Sequence, residues 1–136
     1  MTMDERLRVV IADDEPRARQ FLEKLLSEHA HVEVAGVAKG GGEALAMIAK
    51  TRPDAVFLDI HMPDLSGLEV ARHLKGDDAP IIVFVTAYDE HAVEAFELAA
   101  LDYVLKPIRR ERLAETVQRV TREAQAGAKR SGNAAA

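Results

Sequence analysis

The sequence contains no cysteine. That excludes disulfides, thiolate catalysis and cysteine-based zinc sites. Its five histidines, at positions 29, 31, 61, 73 and 91, show no HExxH or similar ligand spacing. No apolar run approaches the ~20 residues needed to cross a bilayer. The acidic start, Met1-Thr2-Met3-Asp4-Glu5, leads into no long apolar stretch of the kind that directs secretion. A cytoplasmic location away from membranes is therefore expected. Basic charge is also short: 18 Lys and Arg face 23 Asp and Glu, a formal net charge of −5. Phosphate backbones demand clustered Lys and Arg, so direct nucleic-acid binding is not expected. An acidic balance suits a site that collects a divalent cation. Gly40-Gly41-Gly42 lacks GxxxxGK[ST] and GxGxxG spacing, so it reads as a turn rather than a nucleotide loop.

What remains is an ordinary globular composition, 48% hydrophobic and 30% charged over 136 residues, the size of one compact domain. Short Val- and Ile-rich runs punctuate it: Arg8–Ala12, Val32–Ala38, Asp54–Leu58, Pro80–Val85 and Asp102–Leu105. They are nearly unbroken by polar residues, as strands are when helices cover both sheet faces. The stretches between them repeat at helical spacing. Ala18, Leu22 and Leu25 share one side, widened by Phe21 and Leu26; Leu113, Val117, Val120 and Ala124 form the cleanest stripe. Asp14-Glu15-Pro16 offers a capping carboxylate and a proline at a helix start, and Ser66-Gly67-Leu68-Glu69 has capping-box spacing. Alternating strands and helices predict a doubly wound α/β domain with a parallel sheet over residues 8–125. Residues 1–7 are a lead, and 126–136 lose periodicity, as a flexible tail or the start of a linker does.

Ligands of open α/β sheets bind outside the carboxyl ends of the strands. Asp13 and Asp14 follow the first run, Asp59 the third, Thr86 the fourth and Lys106 the fifth. The second is followed only by Lys39 and glycines, which suits an edge strand. One rim thus collects three carboxylates, a hydroxyl and an ammonium. Crowded carboxylates repel one another, and a hard cation such as Mg²⁺ removes the conflict while keeping positions open for phosphate oxygens. A lysine and a hydroxyl would serve the other oxygens of a phosphoryl group. The set is poor in proton-transfer groups and rich in charge-neutralising ones, as phosphoryl transfer to a carboxylate requires.

The segments Val10-Ile-Ala-Asp-Asp-Glu-Pro16, Val56-Phe-Leu-Asp-Ile-His-Met-Pro-Asp-Leu-Ser-Gly67, Val85-Thr-Ala-Tyr88 and Asp102-Tyr-Val-Leu-Lys-Pro107 resemble the CheY-like receiver domains of two-component response regulators. The stretch Ala95–Pro107 is similar to receivers of the LytR/AlgR class, whose regulators usually carry a C-terminal DNA-binding domain. No such domain is visible here, so a fragment or a stand-alone receiver is expected. The resemblance implies a flavodoxin-like sheet, strand order 2-1-3-4-5, with five helices. It implies that a histidine kinase phosphorylates Asp59. It implies further that Mg²⁺ is held by Asp13, Asp14, Asp59 and the backbone carbonyl of His61, and that Thr86 and Lys106 contact the phosphoryl group. A cis Lys106-Pro107 bond is implied to aim the lysine into the cleft. Tyr103 is implied to act as a rotating switch coupled to Thr86. The face of the fourth helix, fifth strand and fifth helix is then expected to be read by a partner or by a second copy, as a homodimer. His61 and Tyr88, each two residues past a site residue, are expected to tune the lifetime of the acyl phosphate.

Blander readings compete. Asp14 alone is a helix cap, Thr86 a strand-end hydroxyl, Lys106 a solvated lysine and Tyr103 a core aromatic. Ala92, Val93, Phe96, Ala99 and Ala100 of the fourth helix suit core, interface or both. A haloacid-dehalogenase-type phosphatase needs DxDxT after its first strand, where this chain has Asp13-Asp14-Glu15-Pro16. A phosphorylation-independent module usually lacks one of the five key groups, and all five are present.

Overall fold

The computed structural model describes residues 6–135, with side chains described through residue 127. The expected N-terminal lead lies outside the described residues up to residue 5, as does Ala136. Five strands, β1 (Leu7–Ala12), β2 (Val32–Ala38), β3 (Ala55–Leu58), β4 (Ile81–Thr86) and β5 (Asp102–Leu105), alternate with five helices. These are α1 (Pro16–Ser27), α2 (Gly41–Thr51), α3 (Gly67–His73), α4 (Ala92–Glu97) and α5 (Arg110–Ala135). The strands form one sheet in the order β2-β1-β3-β4-β5, and every neighbouring pair is parallel. This is the predicted flavodoxin-like architecture. The first strand begins one residue earlier than predicted, at Leu7, and the third and fourth one residue later, at Ala55 and Ile81; Pro80 has no N–H to give to the ladder.

Each strand sends alternate side chains into two separate cores, which is why the strand sequences read as continuous apolar runs. On one face, Val9 and Ile11 of β1, Phe57 of β3 and Val83 and Val85 of β4 pack with Leu22, Leu25 and Leu26 of α1 and Leu113, Val117 and Val120 of α5. On the other, Val10, Val56, Leu58, Ile82 and Phe84 meet Ala44 and Ile48 of α2, Leu68 and Val70 of α3 and Ala95 of α4. Burying each large apolar side chain is worth about 1.5–3 kcal/mol, so these two layers carry the fold. Edge strand β2 is only partly buried through its middle, as its lack of a reactive group suggested.

Further local details correct or refine the sequence reading. Phe21 is 43% exposed rather than part of the α1 stripe. On α4, Ala95 is the buried residue, while Val93 and Phe96 stand 74% and 54% exposed. The backbone of α5 continues to Ala135, where a flexible tail or linker was expected from residue 126. Among the described side chains, Ala124 is the last of α5 packed against the core. No proline interrupts the helix, and alanine, lysine and arginine have high helix propensity.

Candidate functional site

The sheet ladder runs one residue past three strands and thereby pins the reactive backbone. Asp13 N–H donates to the Ala38 carbonyl (3.1 Å), Asp59 N–H to Ala12 (2.9 Å) and Lys106 N–H to Thr86 (2.8 Å). Asp13 and Asp59 are 3% and 8% exposed, and Thr86, the last residue of β4, is fully buried. One carboxylate oxygen from each of Asp13, Asp14 and Asp59 lies within 4.8 Å of the other two. Lys106 Nζ stands between two of them, 2.8 Å from Asp13 Oδ2 and 3.0 Å from Asp59 Oδ2. Burial alone would lower the lysine's pKa, but the two carboxylates outweigh it and raise it. The Lys106-Pro107 peptide bond is cis.

The remaining oxygens are held locally. Ile60 N–H donates to Asp59 Oδ1 (2.7 Å) and Glu15 N–H to Asp13 Oδ1 (2.9 Å). Each carboxylate is thus fixed by one backbone amide and turns its second oxygen toward Lys106. Asp14 is not the cap of α1: Glu15 occupies that position, without a side-chain cap bond, and Asp14 stays exposed at the cluster. Three carboxylates on one rim form an all-oxygen donor set, which fits a hard cation of the Mg²⁺ class. The capping box of α3 is present as predicted, with Glu69 N–H donating to Ser66 Oγ and Ser66 N–H to Glu69 Oε1.

Around this cluster lie the other expected residues. The His61 imidazole points outward and packs on Tyr88, ring centroids 4.3 Å apart. Thr86 Oγ1 accepts from the Tyr88 N–H at 3.4 Å. Tyr103 is half-buried, and its hydroxyl donates to the Tyr88 carbonyl. Burial raises the Tyr103 pKa, with nearby Asp89, Glu90 and Asp59 adding to the effect against an opposing bond from the His91 backbone.

Several residues escaped the sequence reading. Asp64, in the loop after β3, accepts from Gly41 N–H (2.9 Å) and Gly42 N–H (2.8 Å) and so caps α2 from a distance. Those amides, with that of Leu65, bring its pKa down to about 2. The glycines are therefore more than a turn: a Cβ on Gly41 would lie 2.6 Å from both the Leu65 Cβ and its carbonyl oxygen. Asp102, the buried first residue of β5, is bound by Arg112 and Thr116 of α5. An aspartate opening a buried strand was the available signal, since aspartate is depleted in strands. Glu90 and His91 gather beside His61 from the loop after β4.

Comparison with known proteins agrees with this architecture. Residues 9–118 match the response regulator receiver domain family. The chain is 45% identical over 117 residues to the transcriptional regulatory protein BtsR of Escherichia coli, covering 86% of this chain and 49% of that protein. It thus spans about half the length of the curated relatives it matches. The response regulatory domain of protein mrkE from Klebsiella pneumoniae superposes with a TM-score of 0.83 at 39% identity, covering 88% of this chain and 98% of that one. The response regulator TrrA from Thermotoga maritima, solved in complex with Mg²⁺-BeF, superposes with a TM-score of 0.74 at 36% identity over 83% and 97% of the two chains. With the family pattern matched along most of its length and the fold shared with these relatives, this chain belongs to the response regulator receiver domain family of two-component signalling.

Proposed function

We propose that Asp59 is the phosphoacceptor and that a histidine kinase is its donor. The observation that carries this reading is Lys106 Nζ, seated 2.8 Å from Asp13 and 3.0 Å from Asp59 at the carboxyl rim of the sheet. Asp59 Oδ2 attacks phosphorus in line, the P–N bond of the phosphohistidine breaks, and the donor imidazole leaves. Lys106 neutralises the incoming charge, and Thr86 donates its hydroxyl to a phosphoryl oxygen. Asp13, Asp14, Asp59 and the His61 carbonyl are the residues that would hold Mg²⁺, which supplies further charge neutralisation when bound. TrrA, solved with Mg²⁺-BeF, supports this assignment by likeness.

Movement of Thr86 toward the phosphoryl group then releases Tyr103 from its bond to Tyr88, and the α4-β5-α5 face changes shape. This is a population shift driven by the phosphoryl group's preference for one state. Val93, Phe96 and Leu105, all exposed, give that face an apolar surface for a partner or a second copy. We assign the chain to the LytR/AlgR class of cytoplasmic regulators. Residues 8–125, joined by Leu7 at the start of β1, form the receiver domain, and residues 126–136 are a tail or the start of a linker. Its chemistry is confined to self-phosphorylation and slow self-dephosphorylation.

Incubation with acetyl phosphate and Mg²⁺, read by intact mass, tests the central step. The wild type gains one phosphoryl group and Asp59→Asn gains none; labelling that survives in Asp59→Asn would show a different nucleophile.

A further inference from the structure

Among the described residues, two groups of three ligating side chains lie within one ion's reach, and only one of them is the acidic rim. The other is His61, Glu90 and His91, whose ligand atoms also lie within 4.8 Å of one another. The His61 and His91 rings are 5.4 Å apart, edge to face, and His91 Nε2 is 3.8 Å from Glu90 Oε1. We propose that these three side chains form a second metal site, distinct in chemistry from the acidic rim and selective for a borderline divalent cation of the Zn²⁺ class.

Donor type separates the two sites. Three carboxylates suit Mg²⁺, whereas two imidazoles and one carboxylate suit zinc and its neighbours in the transition series. Zn–N and Zn–O bonds of about 2.0–2.2 Å place tetrahedral ligand atoms about 3.4 Å apart. The Glu90–His91 pair is already close to that separation. Glu90 and His61 are exposed and His91 is partly so, which leaves their side chains free to rotate inward around an ion. Three protein ligands leave a fourth position open to water or to a group from another molecule.

The other histidines lack this arrangement. His29 and His31 face each other at 6.3 Å with His31 Nε2 bonded to Thr121, and His73 Nδ1 is bonded to the Glu69 carbonyl. The location of the new site gives it consequence. His61 belongs to the loop after β3 and Glu90-His91 to the loop after β4, so one ion would tie together the two loops that flank Asp59 and Thr86. Tyr103 bonds to the second of these loops at Tyr88. Any rearrangement of that loop and occupancy by the metal are therefore linked, each altering the other's equilibrium by the same factor.

Titration of the full chain with Zn²⁺ by calorimetry, in excess Mg²⁺ to fill the acidic rim, tests the site. Co²⁺ serves as a spectroscopic probe of four-coordinate nitrogen ligation. One saturable site is expected. His61→Ala and His91→Ala should each weaken Zn²⁺ roughly tenfold or more, Glu90→Gln less, and His29→Ala not at all. Circular dichroism of each variant checks that the fold is retained. Unchanged affinity in His61→Ala or His91→Ala, displacement of Zn²⁺ by Mg²⁺, or no saturable binding to the wild type would overturn the proposal.

Discussion

Arg112 grips Asp102 with both terminal nitrogens, at 2.9 Å to Oδ2 and 2.8 Å to Oδ1. Thr116 donates its hydroxyl to Oδ2 at 2.7 Å, and the Tyr103 amide donates to Oδ1 at 2.8 Å. The first residue of β5 is thus fastened to α5 by a buried carboxylate with four donors. Burial would push its pKa up, but these bonds prevail and hold it well below the usual carboxylate range. Because the folded value is depressed, the stability Asp102 contributes is fully present above the ordinary value of 3.8 and is lost as pH falls through the folded value.

Asp102→Ala should therefore cost about 3 kcal/mol at neutral pH, by stranding the Thr116 hydroxyl and the Arg112 guanidinium. Asp102→Asn should cost less, and its stability should fall less steeply in acid than that of the wild type. Urea unfolding at a series of pH values measures both; parallel acid profiles would remove Asp102 as the cause.

Gly67 opens α3 directly against the end of β3. A Cβ there would lie 2.2 Å from the Asp59 carbonyl oxygen and 3.1 Å from the Ile60 Cα, both backbone atoms. Gly67→Ala must shift the end of β3 or the start of α3. We expect a loss of about 1–3 kcal/mol from the overpacking, together with slower phosphorylation by acetyl phosphate. A variant as stable and as reactive as the wild type would show that the loop yields freely.

Asp13 and Asp59 share one ammonium, so a cation at the rim should stabilise the fold. Mg²⁺ at a hundred times its dissociation constant should add about 2.7 kcal/mol to the wild type. Asp13→Asn should lose most of that gain. Lys106→Ala should keep it, since the carboxylates then repel one another without their lysine. Thermal unfolding with and without Mg²⁺ separates these outcomes, and an equal gain in Asp13→Asn would place the ion elsewhere.

The exposed His61 ring packs on Tyr88, and each residue lies two past a residue of the rim. Removing the imidazole should open a path for water to the acyl phosphate. We expect His61→Ala, loaded with acetyl phosphate in metal-buffered Mg²⁺, to lose the label about 2–10-fold faster, where tenfold equals ~1.36 kcal/mol of barrier. An unchanged lifetime would leave His61 with no part in it.

Much of the site was legible because its residues follow strands. Asp13, Asp59 and Lys106 each stand one residue beyond an apolar run, and the parallel ladder carries all of those ends to one rim. Asp64, Asp102 and the Glu90-His91 pair were not legible in that way. Their partners lie 22 or 23 residues away for Asp64, 10 and 14 for Asp102, and in another loop for the histidine group. Exposure on α4 was equally hidden, since Ala92, Val93 and Phe96 offer an apolar surface whichever side meets the sheet, and the expected helix stops at Glu97, short of Ala99 and Ala100.

The amino-acid order by itself settled the α/β class, the five strands and helices, and the succession of acidic, hydroxyl and ammonium groups along the chain. It did so because side-chain periodicity and strand-end chemistry are local properties, written within a few residues. The tertiary structure alone decided that Lys106 bridges Asp13 and Asp59, that Asp64 caps a distant helix, and that His61 meets Glu90 and His91. Those meetings depend on sheet register and loop paths, which bring together positions that no short window of sequence contains.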